Sequence, residues 1–136
     1  MTSIISGKEL SQKILSELKS EVITITKQHN TNPCLAVILV GNDQASRVYV
    51  ANKRRTCEEI GILSKAYDLP SSTTMKELLK IIHELNNSPN VHGILCQFPL
   101  PSGLNEQEAI LAINPSKDVD GLHPLNVGLL ATAKPK

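Results

Sequence analysis

The sequence has few aromatic residues, no charge of one predominant sign and no long apolar run. Its 136 residues include two tyrosines, one phenylalanine and no tryptophan, so we expect an aliphatic core. Fourteen basic and 13 acidic residues give a net charge of +1, which provides no basic field for binding a nucleic acid. No apolar stretch approaches the ~20 residues of a membrane span. The composition predicts one soluble globular domain.

Cysteine is also scarce, and the three cysteines, Cys34, Cys57 and Cys96, form no C-x-x-C pair. Their odd number and wide spacing suggest neither a disulfide framework nor a zinc site. We therefore expect reduced thiols, no metal and a cytoplasmic protein. Residues 1–9 lack a basic segment followed by an apolar one, so no secretory leader is predicted. The nucleotide-binding patterns G-x-G-x-x-G and G-x-x-x-x-G-K-[ST] are missing as well.

Apolar spacing predicts helices that alternate with strands. The predicted helices begin after Ser6 and fade before His29, then cover 46–60, 75–85, 105–113 and a short segment from 125, and the predicted strands cover 34–40, 63–69 and 91–98. Capping boxes of the form S/T-x-x-E mark Ser6 and Thr74 as helix starts. The unbroken apolar run at 34–40 is typical of a strand buried on both faces. The alternation predicts a three-layer α/β/α domain with a mainly parallel sheet.

Three polar loops, at residues 41–47, 97–103 and 117–123, are expected at the carboxyl ends of the strands. Ligands of parallel sheets bind at the carboxyl ends of the strands, so we expect the functional residues in or beside these loops.

Tyr49 and Lys53 lie four residues apart in the second predicted helix, on one face and about 6 Å apart along the axis. A phenol can stack on a flat ligand, and a lysine that apolar walls desolvate can move protons near neutral pH. The alternative is an ordinary amphipathic helix with a lysine stem beside a half-buried tyrosine. The neighbouring Arg54 and Arg55 are expected on a solvated face.

Gln97 ends an apolar strand immediately before Phe98-Pro99-Leu100-Pro101. Its neutral amide can pair with donors and acceptors of a ligand, or can hold a neighbouring lysine in place. Alternatively, it satisfies backbone groups of the loop. The Phe98–Pro99 bond is a candidate for a cis peptide, since such bonds occur in tight turns.

Asp118 and Asp120 lie two residues apart in the third loop. A carboxylate can accept two N–H donors from the edge of an amidine-like or guanidine-like ring. A metal site is less favoured because no histidine or third carboxylate lies at ligand spacing. The simplest alternative is that both aspartates stabilise turns. Cys57 and Cys96 are expected to be small core residues rather than nucleophiles.

Three segments together resemble the motifs of one enzyme family. Residues 46–53, continuing through Glu58-Glu59-Ile60-Gly61, resemble S-x-x-Y-V-x-x-K. Residues 93–101 resemble G-I-x-V-Q-L-P-L-P, and residues 115–128 resemble P-x-K-D-V-D-G-x-x-x-x-N-x-G. These motifs belong to the methylenetetrahydrofolate dehydrogenase/methenyltetrahydrofolate cyclohydrolase family, and the resemblance covers essentially the whole chain.

The resemblance implies an enzyme of one-carbon folate metabolism. Such enzymes oxidise 5,10-methylenetetrahydrofolate with NADP, or NAD in some members, and hydrolyse 5,10-methenyltetrahydrofolate to 10-formyltetrahydrofolate, which links them to purine biosynthesis. By resemblance, Lys53 handles protons in the hydrolysis and Gln97 pairs with and tunes Lys53. Asp120 would anchor the amino-pyrimidine edge of the pterin, and Tyr49 would stack on the folate rings. The remaining residues implied to line the substrate cleft are Val50, Ala51, Asn52, Cys96 and Phe98.

The sequence departs from the family pattern in two small respects and one large one. Cys96 and Phe98 stand where the family more often has aliphatic residues, so the pocket wall can differ slightly. Family members also continue into a Rossmann domain with a G-R-S-x-x-V-G-x-P cofactor loop, and no such sequence occurs in residues 1–136. We therefore expect one folate-binding catalytic domain over 1–136, in which residues 125–136 start the helix that leads to the cofactor domain.

Two functional hypotheses follow. In the first, the chain is the catalytic domain of the bifunctional enzyme, without dehydrogenase activity of its own because no nucleotide site is visible. In the second, it is a non-catalytic folate-binding module, or a subunit that needs a separate cofactor-domain chain. The expected partners are a small folate substrate and, by resemblance, a second copy in a homodimer whose contacts lie largely in the cofactor domain. Neither a nucleic acid nor a membrane is expected.

Overall fold

The computed structural model describes residues 6–134. Residues 1–5, on which the prediction of no leader partly rests, and residues 135–136, at the end of the predicted domain, lie outside them. The described elements, in chain order, are α1 (Gly7–His29), β1 (Cys34–Val40), α2 (Gln44–Ile60), β2 (Leu63–Leu69), α3 (Met75–Asn87), β3 (Gly93–Cys96), α4 (Glu106–Ala112) and α5 (Pro124–Ala131).

The strands β1, β2 and β3 form one parallel sheet in the order β2-β1-β3. β1 pairs along its whole length with β2, starting with Cys34 opposite Leu63. On its other edge it pairs with β3, and Ile94 of β3 pairs in turn with Asp118 through an isolated parallel bridge. This bridge brings the loop after α4 alongside β3, on the side of that strand that faces away from β1.

The central strand β1 supplies side chains to two separate cores, one on each face of the sheet. Ala36 and Ile38 belong to the larger core, which includes buried residues of α3 and α4. Val37 and Leu39 belong to the smaller core, which includes Val50 of α2. Helices therefore cover both faces, and this explains why the strand is apolar without alternation. The predicted α/β fold with a parallel sheet between helices is confirmed.

The helix starts follow the caps in the sequence, with two differences. The Thr74 box is complete, because the Thr74 hydroxyl accepts from the Glu77 N–H at 3.3 Å and the Glu77 carboxylate accepts from the Thr74 N–H at 2.8 Å. At the start of α1, the Ser6 hydroxyl accepts from the N–H of Glu9 at 3.3 Å, which is one half of the predicted box. Helix α2 begins at Gln44 rather than at 46, because the Asp43 carboxylate caps it.

The apolar stripe of α1 lies mostly on the surface. Val22 is buried, but Leu10, Ile14 and Leu18 are 54%, 45% and 39% exposed. Within residues 6–134, α1 packs chiefly against α2, and Val22 lies close to the glycine that ends α2. The periodicity identified the helix correctly, but it could not tell whether the apolar stripe is buried.

Strand β3 is shorter than the predicted 91–98. The N–H of Val91 still belongs to the turn after α3, since it donates to the carbonyl of Ser88 at 3.3 Å. At the other end the Phe98–Pro99 peptide bond is cis, as the sequence had suggested as a candidate.

Candidate functional site

The proposed functional residues lie on three segments that meet where β3 ends. Helix α2 carries Tyr49 and Lys53. The Gln97 N–H donates to the carbonyl of Ile38 at 2.9 Å, so Gln97 continues the line of β3 beside the central strand. The Ile94 N–H donates to the carbonyl of Lys117 at 2.7 Å and so holds the third loop against the other side of β3.

Lys53 and Gln97 are in direct contact. Nζ of Lys53 donates to Oε1 of Gln97 at 3.2 Å, and both side chains are partly buried. Nε2 of Gln97 donates to the carbonyl of Phe98 at 2.8 Å, which fixes the orientation of the amide. One end of the amide therefore satisfies the loop and the other accepts from the lysine, as two of the alternatives had suggested, and pairing with a ligand stays a prediction.

Tyr49 lies one turn before Lys53 and is 63% exposed, so its ring is accessible to a ligand. The next residue, Val50, is 1% exposed and packs in the smaller core, where it anchors α2 to the sheet. Ala51 and Asn52 are exposed, and Oδ1 of Asn52 accepts from Arg55 at 3.3 Å. Of the four consecutive α2 positions from 49 to 52, the structure therefore leaves three accessible and one in the core.

Arg54 is not on a solvated face, contrary to the prediction. Its guanidinium donates to both carboxylate oxygens of Asp68 on β2, at 3.0 and 2.6 Å, and to the carbonyl of Val37 at 3.4 Å. The Arg54 hydrogen bonds and charge hold the pKa of Asp68 below its usual value despite some burial. The sequence could not reveal this pair, because it depends on how α2 lies across the sheet.

Cys96 lies directly before Gln97 and is buried at the end of β3. Burial raises the pKa of its thiol to about 12, with smaller contributions from the negative charges of Asp120 and Glu106. At neutral pH the sulfur therefore remains a protonated, unreactive thiol. This agrees with the expectation of a small core residue, and the contribution of Asp120 indicates that this carboxylate lies nearby.

The two aspartates of the third loop have different environments. Asp118 accepts from the N–H groups of Gly121 and His123, at 3.1 and 2.9 Å, and from Nδ2 of Asn126 at 3.0 Å. Burial alone would raise the pKa of Asp118, but these hydrogen bonds outweigh it and hold the pKa below its usual value. Asp120 is exposed, and no hydrogen bond to its carboxylate is found within residues 6–134.

The turn-stabilising alternative therefore applies to Asp118, whereas Asp120 remains available to a ligand. Both aspartates border a small recess whose apolar wall includes Cys96, Phe98 and Leu122. Phe98 is partly buried and packs against the larger core, so it connects this recess with the turn that carries Gln97.

Lys117 and Asn126 have structural roles that the residue-by-residue interpretation missed. Nζ of Lys117 donates to the carbonyls of Leu85 and Ser88, at 3.0 and 2.8 Å, and so ties the third loop to the end of α3. Nδ2 of Asn126 also donates to the carbonyl of Pro115 at 2.9 Å. The sequence signal that could have pointed to these roles is that both residues belong to the same motif as the two aspartates.

The described residues offer neither a cluster of metal ligands nor a dinucleotide-binding turn. Among residues 6–134, no three histidine, cysteine, aspartate or glutamate side chains lie close enough together to hold a metal ion. The turn between β1 and α2 does not fit a dinucleotide, because the Asp43 carboxylate accepts from the Ser46 N–H at 2.7 Å. A pyrophosphate would need such N–H groups at the helix start and would be repelled by this carboxylate. Every helix within residues 6–134 is too short or too polar to span a bilayer.

Comparison with known proteins connects these segments to one family. Residues 5–120 match the family described as tetrahydrofolate dehydrogenase/cyclohydrolase, catalytic domain. The chain is 54% identical over 132 residues to the bifunctional protein FolD of Acetivibrio thermocellus, covering 97% of this chain and 46% of that protein. It is 50% identical over 133 residues to FolD of Legionella pneumophila, covering 98% of this chain and 47% of that protein.

Solved structures agree with the sequence relatives. The methylenetetrahydrofolate dehydrogenase-cyclohydrolase of Trypanosoma brucei, solved with NADP and an inhibitor, matches with a TM-score of 0.93 at 30% identity over 99% of this chain and 46% of that one. The FolD enzyme of Campylobacter jejuni matches with a TM-score of 0.88 at 48% identity over 93% of this chain and 44% of that one. The chain thus spans about half the length of the relatives it matches. It belongs to the tetrahydrofolate dehydrogenase/cyclohydrolase family, whose catalytic domain it matches.

Proposed function

We propose that this chain binds a reduced folate at the end of β3 and carries out the proton transfers of 5,10-methenyltetrahydrofolate hydrolysis. The observation that supports the proposal is the hydrogen bond between Nζ of Lys53 and Gln97, which lies at the carboxyl end of a parallel sheet and one helical turn from the exposed Tyr49. The family membership supports the choice of a folate as the flat ligand.

The hydrolysis requires water oxygen to bond to the bridging carbon and the bond from that carbon to N5 to break. Both protons of the water must leave the oxygen, because the substrate is a cation and the product carries a neutral formyl group; one proton reaches N5 and the other is released to the solvent. We assign to Lys53 the transfer of a proton from the oxygen to N5, since its Nζ is held at this position by Gln97. Gln97 accepts one N–H of the lysine and so fixes Nζ while its other N–H bonds remain free for substrate.

Substrate orientation is assigned to Tyr49 and Asp120. The exposed ring of Tyr49 offers a stacking surface for the folate. The exposed carboxylate of Asp120 can accept two N–H donors from the amino-pyrimidine edge of the pterin. The other residues proposed to line the cleft are Val50, Ala51, Asn52, Cys96 and Phe98, although Val50 and Cys96 can contribute only by supporting its wall.

The proposal extends to a protein that couples this hydrolysis to oxidation of 5,10-methylenetetrahydrofolate by NADP, in accord with the names of its relatives. The β1–α2 turn does not fit the dinucleotide, so we assign that turn no part in binding NADP. We expect residues 1–136, as a separate polypeptide, to form one folate-binding domain that does not reduce NADP.

The cellular setting belongs to the proposal as well. Cys34, Cys57 and Cys96 are free thiols, which suits the reducing cytoplasm. A homodimer and a role in purine biosynthesis are proposed from the family resemblance. The net charge of +1 favours a small-molecule partner over a nucleic acid.

Titration calorimetry with 5-formyltetrahydrofolate, a stable reduced folate, tests the proposed site. We expect saturable binding by the wild-type chain and at least about tenfold weaker binding by Asp120→Asn, the effect of losing one charge-assisted hydrogen bond. Glu108→Gln, an exposed carboxylate on α4, is the matched control and should bind like the wild type. Binding without any hydrolysis of the methenyl substrate would favour a non-catalytic folate-binding module, and absence of binding would contradict the proposal.

A further inference from the structure

Asp118 joins the sheet to the turn that carries Asp120. Its backbone pairs with Ile94 of β3, three residues before Gln97. Its side chain then accepts the N–H groups of Gly121 and His123, one and three residues after Asp120. The turn that contains Asp120 therefore starts at Asp118, which is anchored on β3, and folds back onto the side chain of the same residue.

We propose that Asp118 is a positioning residue for Asp120, which holds the ligand-binding carboxylate at a fixed distance from the Lys53–Gln97 pair. The proposal rests on the function proposed above. Asp118 itself is largely committed to the turn, because the N–H donors of Gly121, His123 and Asn126 already use about three of its four acceptor positions.

The alternative is that Asp118 only stabilises the loop. The two roles differ in what they change, because a stabilising residue affects the unfolding free energy, whereas a positioning residue affects recognition of one edge of the ligand. The recess bordered by Asp118, Asp120 and Phe98 places the turn next to the strand end that carries Gln97, so displacement of the turn would move Asp120 relative to the lysine.

Asp118→Asn is the direct test. An asparagine keeps the size of the side chain but offers one acceptor oxygen, so in either orientation its NH2 group faces at least one of the three N–H donors. The readout is the ratio of dissociation constants for two folate analogues, one with the 2-amino group of the pterin and one with a methyl group in its place. A change in stability alone would leave this ratio unchanged.

We expect the wild-type chain to prefer the 2-amino analogue by about tenfold or more, and Asp120→Asn to lose the preference. Asp118→Asn should lose most of it in a chain that is still folded by circular dichroism. Asn126→Ala removes one of the three donors but keeps the Asp118 charge, so it should lose part of the preference and gives a second variant if Asp118→Asn does not fold. Glu77→Gln, which removes a carboxylate from the α3 capping box, should retain it.

An undiminished preference in folded Asp118→Asn, or in Asn126→Ala if only that variant folds, would overturn the positioning role while leaving the folate site intact. A wild-type chain that binds neither analogue would instead overturn the proposed function, and the positioning role with it.

Discussion

Lys53 and Gln97, separated by 44 positions in the sequence, are joined by a hydrogen bond of 3.2 Å between Nζ and Oε1. The bond connects the middle of α2 to the end of β3, so it depends on the packing of that helix across the sheet. Gln97 is held by its own bonds to Ile38 and Phe98, which makes it a fixed acceptor for a flexible lysine.

Replacement of Gln97 by glutamate should move the pH dependence of hydrolysis. The carboxylate can accept the same hydrogen bond, but it adds a negative charge where the proton is transferred, and such a charge makes the loss of a proton harder. We expect the profile of kcat/KM for methenyltetrahydrofolate to move to higher pH. Gln107→Glu, the same change at an exposed position of α4, is the control and should leave the profile in place. Identical profiles for all three proteins would contradict a direct role of residue 97.

The surface position of the α1 stripe gives a matched pair of substitutions. Ile82 is 0% exposed in the larger core and Ile14 is 45% exposed on α1. Ile82→Ala should lower the free energy of unfolding by ~2–5 kcal/mol, whereas Ile14→Ala should cost less than about 1 kcal/mol. Urea denaturation of the two variants measures the difference, and equal losses would mean that α1 is buried in solution.

The buried thiol at the end of β3 should be unreactive. With its pKa at about 12, Cys96 has very little thiolate at pH 8 and its sulfur is shielded from reagents. Burial also raises the pKa of Cys57, but this residue is only partly buried. Iodoacetamide at pH 8 should therefore label Cys57 before Cys96, as read by peptide mass spectrometry. Rapid labelling of Cys96 in the folded chain would contradict its assigned position.

Acid should remove the contribution of Asp118 to stability. The pKa of Asp118 in the folded chain is below the ordinary value of 3.8. The stabilisation is therefore complete when the pH is above the pKa of this aspartate in the unfolded chain, and it is lost as the pH falls through the folded pKa. The difference in Tm between wild type and Asp118→Asn should thus be largest near neutral pH and should shrink on acidification below about pH 4. A difference that stays constant down to pH 2.5 would show that the charge of Asp118 does not contribute.

Local patterns in the sequence were sufficient for the elements whose structure is determined locally. The Thr74 capping box and the apolar run of β1 specify a helix start and a buried strand without reference to the rest of the chain. The four-residue spacing of Tyr49 and Lys53 likewise identifies one side of a helix. The fold class follows from the order of these elements.

Contacts between distant segments could not be obtained in this way. The pairing of Arg54 with Asp68 depends on how α2 lies across β2, and no local pattern indicates it. The division of roles between Asp118 and Asp120 is decided by which carboxylate meets the backbone N–H groups of the turn. The spacing of the two aspartates in the sequence does not indicate which of them accepts these N–H groups.

The proposed role of Lys53 is tested most directly by the rate at which the chain hydrolyses 5,10-methenyltetrahydrofolate before and after Lys53→Met. We expect the wild-type chain to accelerate the reaction and the variant to lose this acceleration by about a hundredfold or more, while Arg55→Met, two residues further along the same helix, retains it. An unchanged rate in a folded Lys53→Met variant would contradict the assignment of proton transfer to this lysine.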